Sequence, residues 1–222
     1  MGNFHLIVIA VGTAIIFLSF FFAFAVRGNH TIPAYLNLFY YYPLLILFES
    51  VNSILCIYFH LYSGFTENSI EKLLFLFDFI FWALFFLAVF KSKNPVFKKV
   101  IYSNFIIFLL IMLVSSFTFR SPYESLGFSN MGKSIFCLLY VYDLFTSEPN
   151  INLKKDPVFW IVCGLFFYAA STIPIYLSLS YLYQHYQAVV GFLFPITNIT
   201  IIIMHLLFIK GFLCIKQQRI PS

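Results

Sequence analysis

The sequence predicts an all-α protein that crosses a membrane seven times. Of its 222 residues, 62% are hydrophobic and only 9% are charged, whereas a soluble domain carries about 25% charged residues. The apolar residues fall into runs close to the ~20 residues that a helix needs to cross the hydrocarbon core. No run alternates as a barrel strand does, and only helices or closed barrels satisfy the backbone in lipid. The composition therefore excludes a water-soluble globule and predicts one transmembrane helical domain over residues 1–222.

Charged residues, proline, glycine and asparagine bound the seven predicted spans. In chain order the spans are Leu6–Val26, Ala34–Leu61, Glu71–Phe90, Phe97–Phe119, Phe128–Thr146, Pro157–Tyr181 and Val189–Leu213. The first is expected to stay in the protein, because no basic secretory-signal region precedes it. The fifth is the weakest: Lys133 and Asp143 leave it a short apolar core. A re-entrant or protein-buried segment is the alternative for this span.

Aromatic residues support the span boundaries. A Phe-Tyr-Tyr-Tyr run at 39–42 opens the second span, Trp160 opens the sixth, and Tyr181, Tyr183 and Tyr186 close it. Amphipathic rings favour the headgroup layer of a bilayer, so these residues are placed at its two surfaces. Most of the 32 phenylalanines are expected to face lipid or to pack helices together.

The positive residues predict the orientation. With the amino terminus outside, ten Lys and Arg residues lie inside: Arg27, Lys91, Lys93, Lys98, Lys99, Lys154, Lys155, Lys210, Lys216 and Arg219. Three lie outside: Lys72, Arg120 and Lys133. Because cytoplasmic connections are enriched in positive residues, the amino terminus is predicted outside and the carboxyl terminus in the cytoplasm. The four lysines between 91 and 99 are candidate cytoplasmic contacts for a partner.

The second span carries the sharpest polar stripe in the sequence. Glu49 lies near its middle, and Asn52 and Ser53 follow three and four residues later, on the same helical face. Asp78 lies about two turns into the third span, which a short outer connection joins to the second. Ionisable groups in hydrocarbon cost about 2.5–3.5 kcal/mol, so each is a functional candidate. A shared cavity for Glu49 and Asp78 is one interpretation, and packing through hydrogen bonds is the other.

Asp143 and His205 form a second candidate site. Asp143 lies near the inner end of the fifth span and His205 in the inner half of the seventh, at a similar depth. Histidine titrates near neutral pH, so the two residues are interpreted either as a proton relay or switch or as a static hydrogen bond.

Pro174 and Pro195 interrupt the sixth and seventh spans. Each frees a backbone carbonyl one turn earlier and permits a kink, and nearby Ser, Thr and Asn side chains are able to satisfy the freed groups. Kinked helices would open space for a ligand between them.

Several cofactor and partner classes are not expected. The four cysteines lie in apolar runs and predict neither a disulfide framework nor a metal site, and His5 and His60 lack a third ligand. Lys210 lies too near the inner end of the last span to bind retinal. The net charge of +5 comes from connections between spans, so nucleic acid is not an expected partner.

Three segments in the last third of the chain carry a family resemblance: Tyr142-Asp143-Leu144-Phe145, the segment Asp156-Pro157-Val158-Phe159-Trp160-Ile161, and Phe208-Ile209-Lys210-Gly211-Phe212-Leu213-Cys214. They resemble small, uncharacterised bacterial seven-helix membrane proteins and the membrane-embedded sensor region of some histidine kinases. The resemblance implies a seven-helix fold, the bacterial inner membrane and a sensory or accessory role. It supplies no ligand or catalytic residue. The chain ends at Ser222, so we expect no attached kinase transmitter domain.

The sequence leads to a ranked set of functions. The first is a non-enzymatic sensory or regulatory subunit that responds to a lipid, a small apolar molecule or the membrane state and acts through a partner protein. The second is a small transporter or channel subunit that uses the intramembrane carboxylates. A membrane enzyme ranks lower because no nucleophile–base pair, GxSxG or HExxH motif occurs. An accessory role in bacterial defence is also open, although no residue selects it.

Overall fold

A computed structural model describes residues 2–26, 64–90, 95–118, 122–147 and 152–217. Within these ranges all regular secondary structure is helical, and there is no β-strand. The helices are α1 (Gly2–Val26), α2 (Gly64–Val89), α3 (Pro95–Thr118), α4 (Pro122–Ser147), α5 (Pro157–His185) and α6 (Gln187–Gln217), with a short 3₁₀ helix at Leu153–Lys155 before α5. The all-α prediction is confirmed for the described residues.

The helices extend beyond the predicted spans. α2 begins at Gly64 where the apolar run begins at Glu71, and α4 begins at Pro122 where Phe128 was the predicted start. Backbone hydrogen bonding continues through polar residues, so a helix does not end where its apolar run ends. The weakest predicted span is one uninterrupted helix of 26 residues. The predicted second span, Ala34–Leu61, lies outside the described residues.

Two of the described helices are long and apolar enough to cross a membrane, over Pro157–His185 and Ala188–Lys216. Shorter apolar stretches lie in α1, α2 and α3, at Ala10–Val26, Leu74–Val89 and Lys99–Val114. Length and composition thus support membrane crossing for α5 and α6, and the count of seven spans stays a prediction.

Helix α5 lies between α4 and α6, and α1 packs on α6 while α2 and α3 pack on α4. The start of α5 is fixed by its cap: Asp156 Oδ1 accepts a hydrogen bond from the Val158 N–H at 2.9 Å, and Pro157 occupies the first turn. This arrangement satisfies an amide that has no partner within the helix and uses the preset backbone angle of proline.

Glycines allow α5 and α6 to approach closely. A Cβ atom on Gly164 would lie 2.9 Å from the Met204 carbonyl oxygen, and one on Gly211 would lie 2.8 Å from the Pro157 carbonyl oxygen. Because a side chain at either position would meet backbone, only glycine fits without a shift of the helices.

A layer of fully buried aromatic rings joins α2, α4 and α6. We call it the aromatic layer, and it consists of Phe79, Trp82, Phe86, Phe136 and Phe208, each 0% exposed. Ring centroids of Phe136 lie 6.0 Å from Phe79 and 5.6 Å from Phe86, and those of Trp82 and Phe208 lie 6.0 Å apart. These distances are typical of favourable aromatic contacts, so the layer packs α2, α4 and α6 against one another.

Candidate functional site

A buried ion pair joins α2 to α4. The ammonium of Lys133 contacts Asp78 Oδ2, and the lysine side chain is only 1% exposed, against 19% for the aspartate. Lys133 lies eleven residues after the first and fourteen before the last residue of α4 (Pro122–Ser147), and therefore near the middle of the helix. Long charged side chains are almost never fully buried unless they are paired. Among the described residues, Lys133 is therefore the charged side chain whose burial most requires a partner.

The residue before the lysine explains how the two helices meet. A Cβ atom on Gly132 would lie 2.6 Å from Cε2 of Phe79, the residue that follows Asp78. The missing side chain lets the Phe79 ring lie directly against the α4 backbone. The carboxylate and the ammonium are thereby held at the same level along the bundle.

Two further polar residues extend the pair to α5. Lys133 Nζ donates to Asn130 Oδ1 at 3.1 Å, and Asn130 Nδ2 donates to Thr172 Oγ1 at 2.8 Å. The Thr172 hydroxyl in turn donates to the Tyr168 carbonyl at 2.7 Å. We refer to Asp78, Asn130, Lys133 and Thr172 as the ion-pair network. Because buried polar groups need partners, this chain of bonds fixes the orientation of the Asn130 amide.

The chemistry of the network is that of a charged, hydrogen-bonded contact. An ammonium and a carboxylate neutralise each other, and the Asn130 amide joins the ammonium to the Thr172 hydroxyl. The residues described contain no group of three or more His, Cys, Asp or Glu side chains placed to hold a metal ion. The arrangement is suited to holding three helices in one register and to changing state when the pair separates.

A second polar contact ties the end of α4 to the connection before α5. Tyr140, seven residues after Lys133, donates its hydroxyl proton to Asp156 Oδ2 at 3.0 Å. Two turns of helix place Tyr140 and Lys133 on similar faces of α4. Asp156 thus both caps α5 and binds α4.

The same connection is also held by α5 and α6. The Lys154 carbonyl accepts from Trp160 Nε1 at 3.1 Å and from Cys214 Sγ at 3.5 Å. The Lys210 ammonium lies 5.9 Å from the centre of the Trp160 ring. The side chains of Lys154 and Lys155 themselves are exposed. A connection whose backbone is held by these hydrogen bonds thus presents two positive charges to the surroundings.

Asp78 is the one residue of the first predicted site that the structure describes. Glu49, Asn52 and Ser53 lie outside the described residues, so a shared Glu49–Asp78 cavity stays a prediction. The partner that the structure gives Asp78 is Lys133, which the sequence analysis counted as an outer-face charge. Because Lys133 is buried near the middle of α4, it no longer counts as a charge on the outer side. The predicted split of positive residues between the inner and outer sides becomes ten to two. Asn130 was not singled out from the sequence. Its position three residues before Lys133, on the same helical face, is the sequence signal that would have indicated this site.

The second predicted pair stays a prediction. Asp143 is half-buried on α4, and His205 is buried on α6, where its ring meets Phe208 edge to face at 5.4 Å. α5 packs against both of these helices.

The two predicted kink sites lie inside continuous helices. α5 runs on through Pro174 and α6 through Pro195. Thr197 Oγ1 and Asn198 Nδ2 both donate to the Phe194 carbonyl, at 2.8 and 3.0 Å. The carbonyl that Pro195 leaves without its helical donor belongs to Gly191, four residues earlier. The nearby polar side chains therefore reinforce the backbone at a different carbonyl, and a kink at either proline stays a prediction.

The predicted cytoplasmic lysines are only partly described. Lys99 is exposed near the start of α3. Lys91 and Lys93 lie outside the described residues, and the Lys98 side chain is not among those described.

The described fold and site define an all-helical bundle with an ion pair buried at mid-helix. Comparison with known protein families, curated proteins and solved structures finds no match to the chain. The resemblance to sensor-kinase membrane regions therefore stays a prediction.

Proposed function

We propose that the protein is an integral membrane sensory or regulatory subunit, with seven spans and an outside amino terminus, that acts through a partner protein. The single observation that carries this proposal is the Lys133–Asp78 ion pair, buried at mid-helix. Exposed apolar side chains on α1 and α3, such as Phe21 and Val114, support a lipid environment, because water-exposed apolar patches of this kind are rare.

The ion pair has the properties of a two-state contact. In a low-dielectric interior, separating the pair leaves Lys133 without its counter-ion at a cost of about 3–5 kcal/mol. Intermediate geometries are costly as well, so α2 and α4 are either locked together or released. Bistable contacts of this kind turn a small perturbation into a discrete shift of helices.

A continuous set of contacts leads from the pair to the predicted inner surface. Two turns of α4 separate Lys133 from Tyr140, which binds Asp156 in the connection before α5. The exposed Lys154 and Lys155 follow in that connection. A shift of α4 would therefore move positive charges that a cytoplasmic partner is able to contact.

The test measures the partner and the helix shift in the same variants. After crosslinking in native membranes, we expect a protein whose recovery falls at least fivefold with Asp78→Asn and returns with the charge swap Asp78→Lys/Lys133→Asp. Spin labels at the exposed positions Ala88 and Thr146, near the ends of α2 and α4, should report a distance change in the first variant only.

Two outcomes would count against a regulatory subunit. One is isolation of the intact chain alone under mild detergent after crosslinking. The other is a spin-label distance that Asp78→Asn leaves unchanged.

A transporter or channel subunit is the second candidate, and the observation that favours it is the same titratable pair among buried hydroxyl and amide groups. Reconstituted vesicles would then show a proton or cation flux that Asp78→Asn abolishes. A flux indifferent to this change and to Glu49→Gln would dispose of the transporter hypothesis.

A further inference from the structure

Two serines on α4, close to the ion pair, carry buried hydroxyls without a hydrogen-bond partner among the described residues, as does Ser180 on α5. Ser129 is 0% and Ser134 is 8% exposed, and neither Oγ atom has a hydrogen-bond partner within the described residues. Thr172 and Thr200, which are equally buried, each donate to a carbonyl of their own helix at 2.7 Å. Buried hydroxyls nearly always have a protein or water partner. The two serine hydroxyls are therefore available to a partner such as water.

Both serines flank the ion pair. Ser129 precedes Lys133 by four residues, and Ser134 follows Asn130 by four, so each lies one helical turn from a member of the ion-pair network. The Lys133 ammonium has three N–H donors, and its contacts with Asp78 and Asn130 use two of them. The remaining N–H and the Ser129 hydroxyl, one turn earlier on the same face, supply two of the two to four polar partners that a buried water molecule needs.

Of the buried serines of α4, Ser134 adjoins Lys133 and the other two lie toward the beginning of the helix. Ser125 is also fully buried and lies four residues before Ser129, in the first turns of the helix. Beyond Lys133 in the other direction lies Phe136, which belongs to the aromatic layer and contacts Phe79 and Phe86. One side of the ion pair is thus lined with hydroxyls, and the other is closed by packed rings.

We propose that water enters the bundle along Ser125 and Ser129 from the end at which α4 begins, hydrates the Lys133–Asp78 pair, and is stopped by the aromatic layer. The pair is then open to small polar solutes from the outer side only. This inference rests on the membrane placement of the proposed function, and it names the side from which the switch is reached.

Cysteine accessibility tests the proposal in the full-length chain with its four native cysteines replaced by alanine. Ser129→Cys is the probe, and Thr200→Cys is the matched control because it is buried on α6 with its native hydroxyl already satisfied. A small membrane-impermeant thiol reagent is applied to each side of oriented vesicles. We expect Ser129→Cys to react at least tenfold faster than Thr200→Cys from the outer side, and no faster from the inner side.

The proposal is overturned if Ser129→Cys is as slow as the control from both sides, or if it reacts equally from both. A second measurement covers the case in which the cysteine variants do not fold. In the unmodified chain with ¹⁵N-lysine, magnetisation from water should reach the Lys133 ammonium, assigned by its loss in Lys133→Met. Absence of that transfer would refute the hydrated pair. Neither measurement needs a partner, so failure of the partner experiment leaves this one independent.

Discussion

Neutralising Asp78 is the sharpest test of the ion-pair network. In Asp78→Asn the Lys133 ammonium, 1% exposed, loses its only anionic contact among the described residues and keeps the Asn130 amide oxygen. Removal of one partner from a buried pair costs about 3–5 kcal/mol, because an uncompensated charge remains or the lysine must give up its proton. The burial of Lys133 places the expected loss of unfolding free energy in the upper half of that range, at about 4–5 kcal/mol.

The reverse single change should cost less. Lys133→Met keeps most of the side-chain volume and leaves the Asp78 carboxylate without its counter-ion. Because Asp78 is 19% exposed, its charge is less completely buried than that of Lys133. We expect a loss of about 3 kcal/mol. The double variant Asp78→Asn/Lys133→Met contains neither charge, and replacement of a buried pair by groups of similar size is often nearly neutral. Its stability should therefore lie within about 1–2 kcal/mol of the unmodified protein.

The assay is unfolding in mixed detergent micelles, followed by circular dichroism across increasing sodium dodecyl sulfate. The four measurements form a double-mutant cycle. Because the single losses together come to about 7–8 kcal/mol and the double variant loses only about 1–2 kcal/mol, the coupling between Asp78 and Lys133 should reach about 5–7 kcal/mol. The reasoning is refuted if both single variants lie within about 0.5 kcal/mol of the parent, or if the double variant loses the sum of the two single losses.

Three further predictions concern packing and hydrogen bonds, and each uses the same unfolding assay. Gly211→Ala should destabilise the protein by about 1–3 kcal/mol, because its Cβ would lie 2.8 Å from a backbone oxygen of α5. Gly191→Ala, with open space around it, should be neutral or stabilising by up to about 1 kcal/mol. Equal effects of the two substitutions would contradict the close approach of α5 and α6. Thr172→Val removes the acceptor of the Asn130 amide and should cost about 1–3 kcal/mol, more than Thr200→Val, whose hydroxyl bonds only its own helix. Tyr140→Phe deletes the 3.0 Å hydrogen bond to Asp156, the cap of α5, and should cost about 1 kcal/mol. It should also raise the rate of hydrogen exchange at residues 152–156, in the connection before α5. An unchanged exchange rate would argue against Tyr140 as an anchor of this connection.

The positions of the helices followed from the apolar runs more closely than their ends did. α1, α5 and α6 each contain a whole predicted span, because a run of some twenty apolar residues has one efficient way to satisfy its backbone. The starts of α2 and α4 were missed by seven and six residues, since Gly64 and Pro122 precede the apolar boundaries by those distances. Hydropathy gives only a weak signal for polar helical turns that precede an apolar run, so the helix starts were placed too late.

The sequence indicated only one member of the candidate site. Asp78 was flagged because a carboxylate inside an apolar run requires compensation. Lys133 was interpreted as a positive charge on the outer side, because the count of topological charges treats every lysine as lying near a membrane surface. Its true partner is 55 residues away in the chain, and only the packing of α2 against α4 brings the two together.

The sequence by itself determined the helical secondary structure of the described residues and indicated a membrane as their medium, because each segment carries its helical tendency and its apolar content within about twenty residues. The tertiary structure alone decided the pairing. Which charge meets which depends on the rotation and level of α2, α4 and α5, and these are set by contacts such as Phe79 against Gly132 that join residues far apart in the chain. Burial turns that geometric choice into a large free-energy difference, because a charge in a low-dielectric interior tolerates few neighbours other than its counter-ion.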